Sequence, residues 1–537
     1  MSEFNLLDQP WIRVMDSSCR VTEVSLTQAL TDAHKYSALA GELPAQDAAV
    51  MRLMLAVLHT VISRYDENGE PSLLDGSKKD ALRRWKGYWE NGCLPENAIK
   101  DYLAKWHERF WLFHEERPFG QLAGLKVGTD YDSPKLNGEI SESGNKSRLF
   151  SSYSGKAKRA MSYSQAARWL LYLNAYDDTS SKPTKEGKEK AGGSLPSTGV
   201  GWLGKLGIIF LVGNDLFETL MLNLVMINNG IVQSEQRPSW ESDSVPDGER
   251  VAIPMPDDLA GLYTVQSRRI LLNRKDGEVV SYKLLGGDFF EKENAFSEPM
   301  TVWRTPKKDN EPYTLKRHDS SKQMWREFAA IYGTDNRNIR AGVIEWYQNI
   351  LYGRTLLPEG YLLRTAIVSV EYGDKDFFVK NVFSDSLTMH SALLSELGAD
   401  WRSKIETEIK NCGILAGHVG RFSQELYIAE GGSDSAKDKH YNEVKQQTQA
   451  QLYYWLDMPF REWLRSIDPH ESGEQQLERI RQWQETAQRT ARRYADELVN
   501  NAAESALVGH RIGETVYSAP KAKLTLLRKI KKLYESG

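Results

Sequence analysis

The chain has 537 residues, more than one compact core accommodates, so two or three domains are expected. With 40% hydrophobic and 26% charged residues it is not a disordered chain, and a net charge of −4 excludes a protein that is basic throughout. Cys19, Cys93 and Cys412 form no CxxC pair, which excludes a cysteine-pair zinc site and a disulfide framework and fits a reducing compartment.

In chain order, the alternating segments PWIRVMD and CRVTEVSL predict a two-stranded opening with a turn at Asp16–Ser18. From Gln46 to Tyr65, Val50, Leu53, Met54, Val57, Leu58, Val61 and Ile62 follow the spacing of an amphipathic helix, and a second helix is expected over Lys100–His114. Strands are expected at Gly207–Val212, Gly261–Leu272, Val279–Leu285 and Pro299–Arg304. Tyr361–Val370 and Phe377–Val382 flank a hairpin turn at Gly373–Lys375. After Ser384 helical periods dominate, with helices expected over Met389–Gly413, His440–Ile467, Glu474–Asn500 and Lys521–Tyr534. The fold class is therefore α+β: a large mixed α/β body over residues 1–384, then a four-helix bundle over residues 385–537. No window approaches the roughly 20 apolar residues of a membrane span, and the N-terminus lacks the pattern of a signal peptide, so a cytoplasmic location and no membrane partner are expected.

Charge is unevenly placed. Between Gly144 and Tyr176 there is no Asp or Glu, while Lys146, Arg148, Lys156, Lys158, Arg159 and Arg168 are basic and Phe150, Tyr153, Tyr163 and Trp169 are interleaved. A lysine- and glycine-rich loop with Lys182, Lys185, Lys188, Lys190, Gly192 and Gly193 follows. Such segments on a mildly acidic background suit a contact that follows a nucleic-acid backbone, although a solvated loop has the same charge. The basic run Lys521, Lys523, Arg528, Lys529, Lys531 and Lys532 is either the solvated face of the last helix or a second such stripe.

No catalytic constellation can be named. Gly199, Gly201 and Gly204 spell GxGxxG, but a strand follows them where a nucleotide site needs a helix, and Leu206 stands where a P-loop needs Ser or Thr. These glycines are expected to permit a bend and a close backbone approach. His318-Asp319 lacks further metal ligands nearby, and His107 and His114, about 10.5 Å apart if helical, are too distant to share an ion. The hairpin tip of Asp374, Lys375, Asp376 and Phe377 is either a surface turn or a wedge that enters between base pairs.

Several segments resemble, in order, the CasA family of large subunits of Cascade, the type I-E CRISPR surveillance complex. They are FNLLDQPWIRV from Phe4, HEERPFGQ from His114, the Arg148–Ser152 stretch, the glycines before Trp202, QRPSW from Gln236, GLYTVQSRR from Gly261, and YGDKDF from Tyr372. The resemblance implies a non-enzymatic subunit that reads the protospacer-adjacent motif of double-stranded DNA, helps to open the strands and recruits the helicase-nuclease. Its implied partners are the guide RNA-loaded Cascade subunits, the target DNA and that nuclease. It places Phe150, Ser151 and Ser152 at the guide handle and motif region, Lys182, Lys185, Lys188, Gly192 and Gly193 in a glycine loop, and Asp374, Lys375, Asp376 and Phe377 at the wedge. A minor-groove lysine is implied near Lys283. No cofactor is implied, and no metal, because the small cysteine cluster of some members is missing after Leu272. Two other classes remain open: a nuclease using the same basic surface, and a scaffold that binds only protein.

Overall fold

The N-terminal ribbon forms as its alternation requires. In the computed structural model Ile12–Asp16 pairs antiparallel with Val21–Val24, Ile12 facing Val24, and a third strand, Tyr36–Leu39, adds to the other edge. The structure describes residues 2–137, 159–179, 199–291, 298–308, 311–333, 335, 337–352, 357–358 and 360–535. Helix accounts for 48% and strand for 20%, so the fold is the mixed class expected, with a run of helices at its C-terminal end.

The helix at Pro44–Arg64 is buried on every side rather than along one stripe. Helices Glu96–Lys105, Tyr163–Tyr176, Leu216–Asn223 and Leu259–Tyr263 all pack on it, which leaves no face for solvent. Contrary to the sequence expectation it is long and apolar enough to cross a membrane, but 94% of its apolar window is buried inside the protein, as a core helix requires. Its buried arginine, Arg52, makes two bonds to the Glu298 carboxylate, at 2.8 and 2.9 Å, and lies over the Tyr263 ring.

Three other expectations fail for local reasons. The helix near residue 100 ends at Lys105; a single turn at His107–Arg109 follows, then a strand, Trp111–Phe113, which pairs with Glu3–Asn5. Gly261 begins no strand, because the Asp258 carboxylate accepts from its N–H at 2.7 Å and caps the short helix Leu259–Tyr263; the strand starts at Arg268. Only Trp303–Arg304 of the segment from Pro299 is extended.

Two three-stranded sheets matter for the site. In one, Glu278–Gly286 lies between Arg268–Lys275 and Thr129–Asp132. In the other, Leu362–Tyr372 lies between Val379–His390 and Ile208–Val212.

The contacts divide the chain into two units, and the division is not contiguous. Residues 321–329 and 357–363 belong with 387–537, and the rest forms the first unit. In the second unit the long helices are Ala399–Ala429, Lys439–Ser466, Gly473–Asn500 and Ala519–Glu535. The first starts ten residues after the expected Met389, because the preceding strand continues to His390. Trp325 stacks on Phe460 at 4.3 Å and donates to Asp457 at 2.9 Å, and Phe460 also meets Trp463 and Trp483. The short hairpin His510–Ile512 with Thr515–Tyr517 carries no strong alternation and was not expected.

Asp47, in the first turn of the Pro44–Arg64 helix, accepts from the Gly41 N–H at 2.8 Å, yet burial raises its carboxyl to about 7 from an ordinary 3.8. The unfolded carboxyl loses its proton near pH 4 while the folded one keeps it to about pH 7, so this group removes stability as pH rises across that interval. Asp47→Asn keeps the acceptor and cannot ionise. Its gain in melting temperature over the parent chain is expected to be larger at pH 8 than at pH 4, and equal gains would show that Asp47 does not carry this penalty.

Candidate nucleic-acid interface

The helix Tyr163–Tyr176 begins with a capping box in which Ser162 and Gln165 satisfy each other's backbone N–H groups. Its arginine and tryptophan do not face solvent. Arg168 is buried and bonds the Trp11 carbonyl at 2.5 Å, Glu23 at 2.7 Å and Glu42 at 2.6 Å, and Trp169 is in the core. Arg168 and Trp169 therefore leave the set of residues that an acid-free segment offers to a phosphate backbone.

Where the helix ends, Asp177, Asp178 and Thr179 are all buried. The Arg268 guanidinium reaches into this turn, with Nε bonding the Asp177 carboxylate at 2.5 Å. Its NH2 group donates to the carbonyls of Asp178, at 2.9 Å, and Gly199, at 3.1 Å. Arg268 thus joins the two chain ends that flank residues 180–198. The Gly201 N–H also donates to the Asp177 carbonyl, at 2.9 Å. The Asp178 carboxylate takes Lys135 at 2.7 Å, just before residues 138–158 begin. Both acid-poor segments are rooted on one pair of acids.

The hairpin Leu362–Tyr372/Val379–His390 ends on the same three-residue turn. The Tyr372 hydroxyl donates to the Tyr176 carbonyl at 2.7 Å. Thr179 donates twice, from Oγ1 to the Lys375 carbonyl at 2.8 Å and from its N–H to the Asp376 carbonyl at 2.9 Å. The tip is a single turn, Asp374–Asp376, closed by the Gly373 N–H on the Phe378 carbonyl, so it sits one residue later than the alternation suggested. Lys375 and Asp376 both take left-handed backbone angles, φ 53° and 59°. For residues other than glycine this costs on the order of 1–3 kcal/mol each and persists only where surrounding contacts enforce it.

The tip side chains divide. Asp374, Lys375 and Phe377 are exposed. Asp376 is turned aside: Arg317 bonds its two carboxylate oxygens at 3.2 and 3.4 Å and also lies over the Tyr372 ring. The charge that balances Asp376 is therefore Arg317, not the neighbouring Lys375. The other sequence-identified residues, Phe150, Ser151, Ser152, Lys182, Lys185, Lys188, Gly192 and Gly193, lie outside the described residues. Lys283, on the strand Glu278–Gly286, pairs with Asp130 at 2.8 Å. In the last helix Lys523 pairs with Asp496 and Lys531 with Glu535.

The glycines of the GxGxxG pattern serve packing. A Cβ on Gly201 would meet the Ala175 carbonyl oxygen at 2.4 Å, and one on Gly204 would meet the Tyr372 hydroxyl at 2.1 Å. A turn at Trp202–Lys205 and a strand follow them, not a helix of the length that holds phosphate. His318 packs on Gly207, where burial and the Lys316 charge hold it down at about 4. His107 and His114 share no helix; His107 bonds Asp8 at 2.8 Å, and the His114 ring accepts from the Glu116 and Arg117 N–H groups. Among the described residues one group of metal-ligating type gathers within 4.8 Å, His390, Asp468 and His470, in the second unit. Its atoms are engaged internally: His390 Nδ1 accepts from the Ala392 N–H, and Asp468 accepts from the backbone and ring of His470.

Sequence reasoning did not find Asp177, Asp178, Thr179, Lys135, Arg268 or Arg317 as site residues. One signal was available, since Asp177 and Asp178 are the first acids after the acid-free stretch and immediately precede the lysine-rich loop.

These features define a class: an α+β body that roots loops and a rigid hairpin tip on one buried polar turn, in a chain that also carries a helical bundle. The chain belongs to the CRISPR-associated Cse1 family, whose model matches residues 5–494. That is the family to which the ordered sequence motifs pointed. It is 30% identical to the CasA/Cse1 protein of Thermus thermophilus over 361 residues, which span 65% of this chain and 64% of that relative. The Thermobifida fusca Cse1 structure superposes with a TM-score of 0.81 at 27% identity, covering 99% of this chain and 98% of that one. A chain of a CRISPR RNA-guided surveillance complex shares the fold with a TM-score of 0.67 at 17% identity, covering 99% and 100%.

Removing the Arg268 guanidinium would take from buried Asp177 the cation that bonds its carboxylate, a change that costs about 3–5 kcal/mol. Arg268→Ala is expected to lower the first unfolding transition in a thermal melt clearly. An unchanged melt would show that the Asp177 turn does not depend on Arg268.

Proposed function

We propose that this protein is the non-catalytic large subunit of an RNA-guided CRISPR surveillance complex, which recognises the protospacer-adjacent motif in double-stranded DNA and promotes strand opening. The observation that carries the reading is the convergence on Asp177–Thr179 of the hairpin tip and of described residues that flank the two basic segments. Membership of the Cse1 family and the fold shared with a surveillance-complex chain support it. Phosphate contacts from lysines supply salt-dependent affinity without reading sequence. Glycines let backbone approach a minor groove too narrow for bulky side chains. In such complexes base pairing reads the target and protein reads only the short flanking motif. The tip supplies the wedge: Phe377 is 42% exposed, beside exposed Lys375, on a turn held from several sides. An inserted side chain must offset the few kcal/mol lost on unstacking one base step, and rigidity keeps its own entropy loss small. In this reading Phe150 stacks on a guide base, the protein works in the cytoplasm beside other Cascade subunits, and it receives the helicase-nuclease once strands are open.

Replacing Lys182, Lys185, Lys188 and Lys190 together by Gln is expected to weaken duplex binding in a gel shift and to flatten its salt dependence. Each lost phosphate contact lowers the slope of log K against log salt by about 0.9. An unchanged slope would make the loop a solvated tether.

Replacing Lys375, Asp376 and Phe377 by Ala is expected to reduce permanganate reactivity of thymines beside the motif in the assembled complex, while initial binding changes much less. Equal reactivity with the parent protein would make the tip an ordinary surface turn.

A further inference from the structure

We infer that Thr179 is a positioning residue for the hairpin tip, coupling it to the buried turn Asp177–Thr179. The inference rests on the proposed role of the tip in strand opening. Two adjacent residues, Lys375 and Asp376, hold left-handed backbone angles, and neither is glycine. The Phe377 N–H closes on the Asp374 carbonyl around these two residues, a type I′ geometry that Asn and Gly normally fill, so with Lys and Asp there contacts from outside help to hold it. Thr179 does this at those two residues: its Oγ1 donates to the Lys375 carbonyl at 2.8 Å and its N–H to the Asp376 carbonyl at 2.9 Å. Arg317 adds a bond to each oxygen of the Asp376 carboxylate, and Tyr372 anchors the strand end on the Tyr176 carbonyl.

Thr179 is also the last described residue before the loop, and the buried Asp177 and Asp178 ahead of it are fixed by Arg268 and Lys135. The loop therefore leaves the body from the residue that sets the tip.

The test separates opening from binding. Thr179→Val keeps the shape and the N–H bond but deletes the Oγ1 donor. In the assembled complex, permanganate reactivity beside the motif is expected to fall about 2- to 12-fold, the effect of one net hydrogen bond. The duplex dissociation constant should stay within about 2-fold, and Thr179→Ser, which retains the hydroxyl, should restore opening. Opening at the parent level in Thr179→Val, with the Lys375/Asp376/Phe377 variant impaired, would overturn the coupling and leave the wedge reading intact. Parent-level opening in both would overturn the wedge reading and the coupling with it. Equal losses of binding and opening, not rescued by serine, would show that Thr179 only supports the fold. Should Thr179→Val melt early, Arg317→Gln releases the same tip from a half-exposed site. It should reproduce the loss of opening and speed amide exchange at Asp376 and Phe377, whereas parent-level opening and exchange would overturn the inference.

Discussion

The contact on which the first unit depends is the buried guanidinium of Arg268 against the turn Asp177–Asp178. Arginine suits this place because its planar fork can serve a carboxylate and several carbonyls at once, where a lysine would offer a point charge. The two aspartates cannot both be buried as anions without such partners, since the loss of hydration would exceed anything their packing returns. Arg268 and Lys135 meet that demand, and in doing so they fix the place from which residues 138–158 and 180–198 depart. The position of the candidate interface is a consequence of satisfying two buried acids.

The same device recurs through this unit. Arg52 serves Glu298, whose second oxygen also accepts from the Trp202 indole at 2.9 Å; Arg168 serves Glu23 and Glu42; Arg84 caps the end of the core helix through the carbonyls of Ile62, Tyr65 and Ser72. Each links segments far apart in sequence. Ion pairs of this kind add little net stability over apolar packing, but an unpaired alternative is costly, so they favour one arrangement of chain segments over others. A fold that must bring distant chain segments to one turn gains from contacts that tolerate no substitute partner.

In the second unit the constraint is apolar. Trp325, Phe460, Trp463 and Trp483 interlock, and Trp325 arrives from a stretch that precedes the bundle by more than sixty residues in sequence. Gly420 allows a close crossing of helices, since a Cβ there would meet the Gln449 and Lys445 side chains at 2.9 and 3.0 Å. Glu408 lies in the same bundle, held by Gln484 at 2.7 Å, and burial raises its carboxyl. A polar group of this kind fixes the rotation of two helices about their axes, which apolar contacts alone leave looser.

Periodicity was enough to find the N-terminal ribbon, the helices at Lys439–Ser466 and Gly473–Asn500, the strands at Ile208–Val212 and Glu278–Gly286, and the hairpin carrying the tip. It was enough because each of these has a repeat of two or of 3.6, or in Ile208–Val212 an unbroken apolar run, that no distant contact overrides. The acid-free segments and the order of weak motifs were equally legible, and they carried the family. What the sequence could not assign is the destination of a charge. Arg168 and Lys182 look alike in a basic run, yet Arg168 is buried and finds two glutamates of the N-terminal segments. Asp376 looks like a liability at a wedge until Arg317, fifty-nine residues earlier, turns it aside. Gly201 and Gly204 look like a phosphate loop until Ala175 and Tyr372 occupy the space beside them. Local pattern depends on the backbone repeat, which neighbours in sequence share. Pairing of buried charges depends on which segments the fold brings within about 3 Å, and only the tertiary structure decides that.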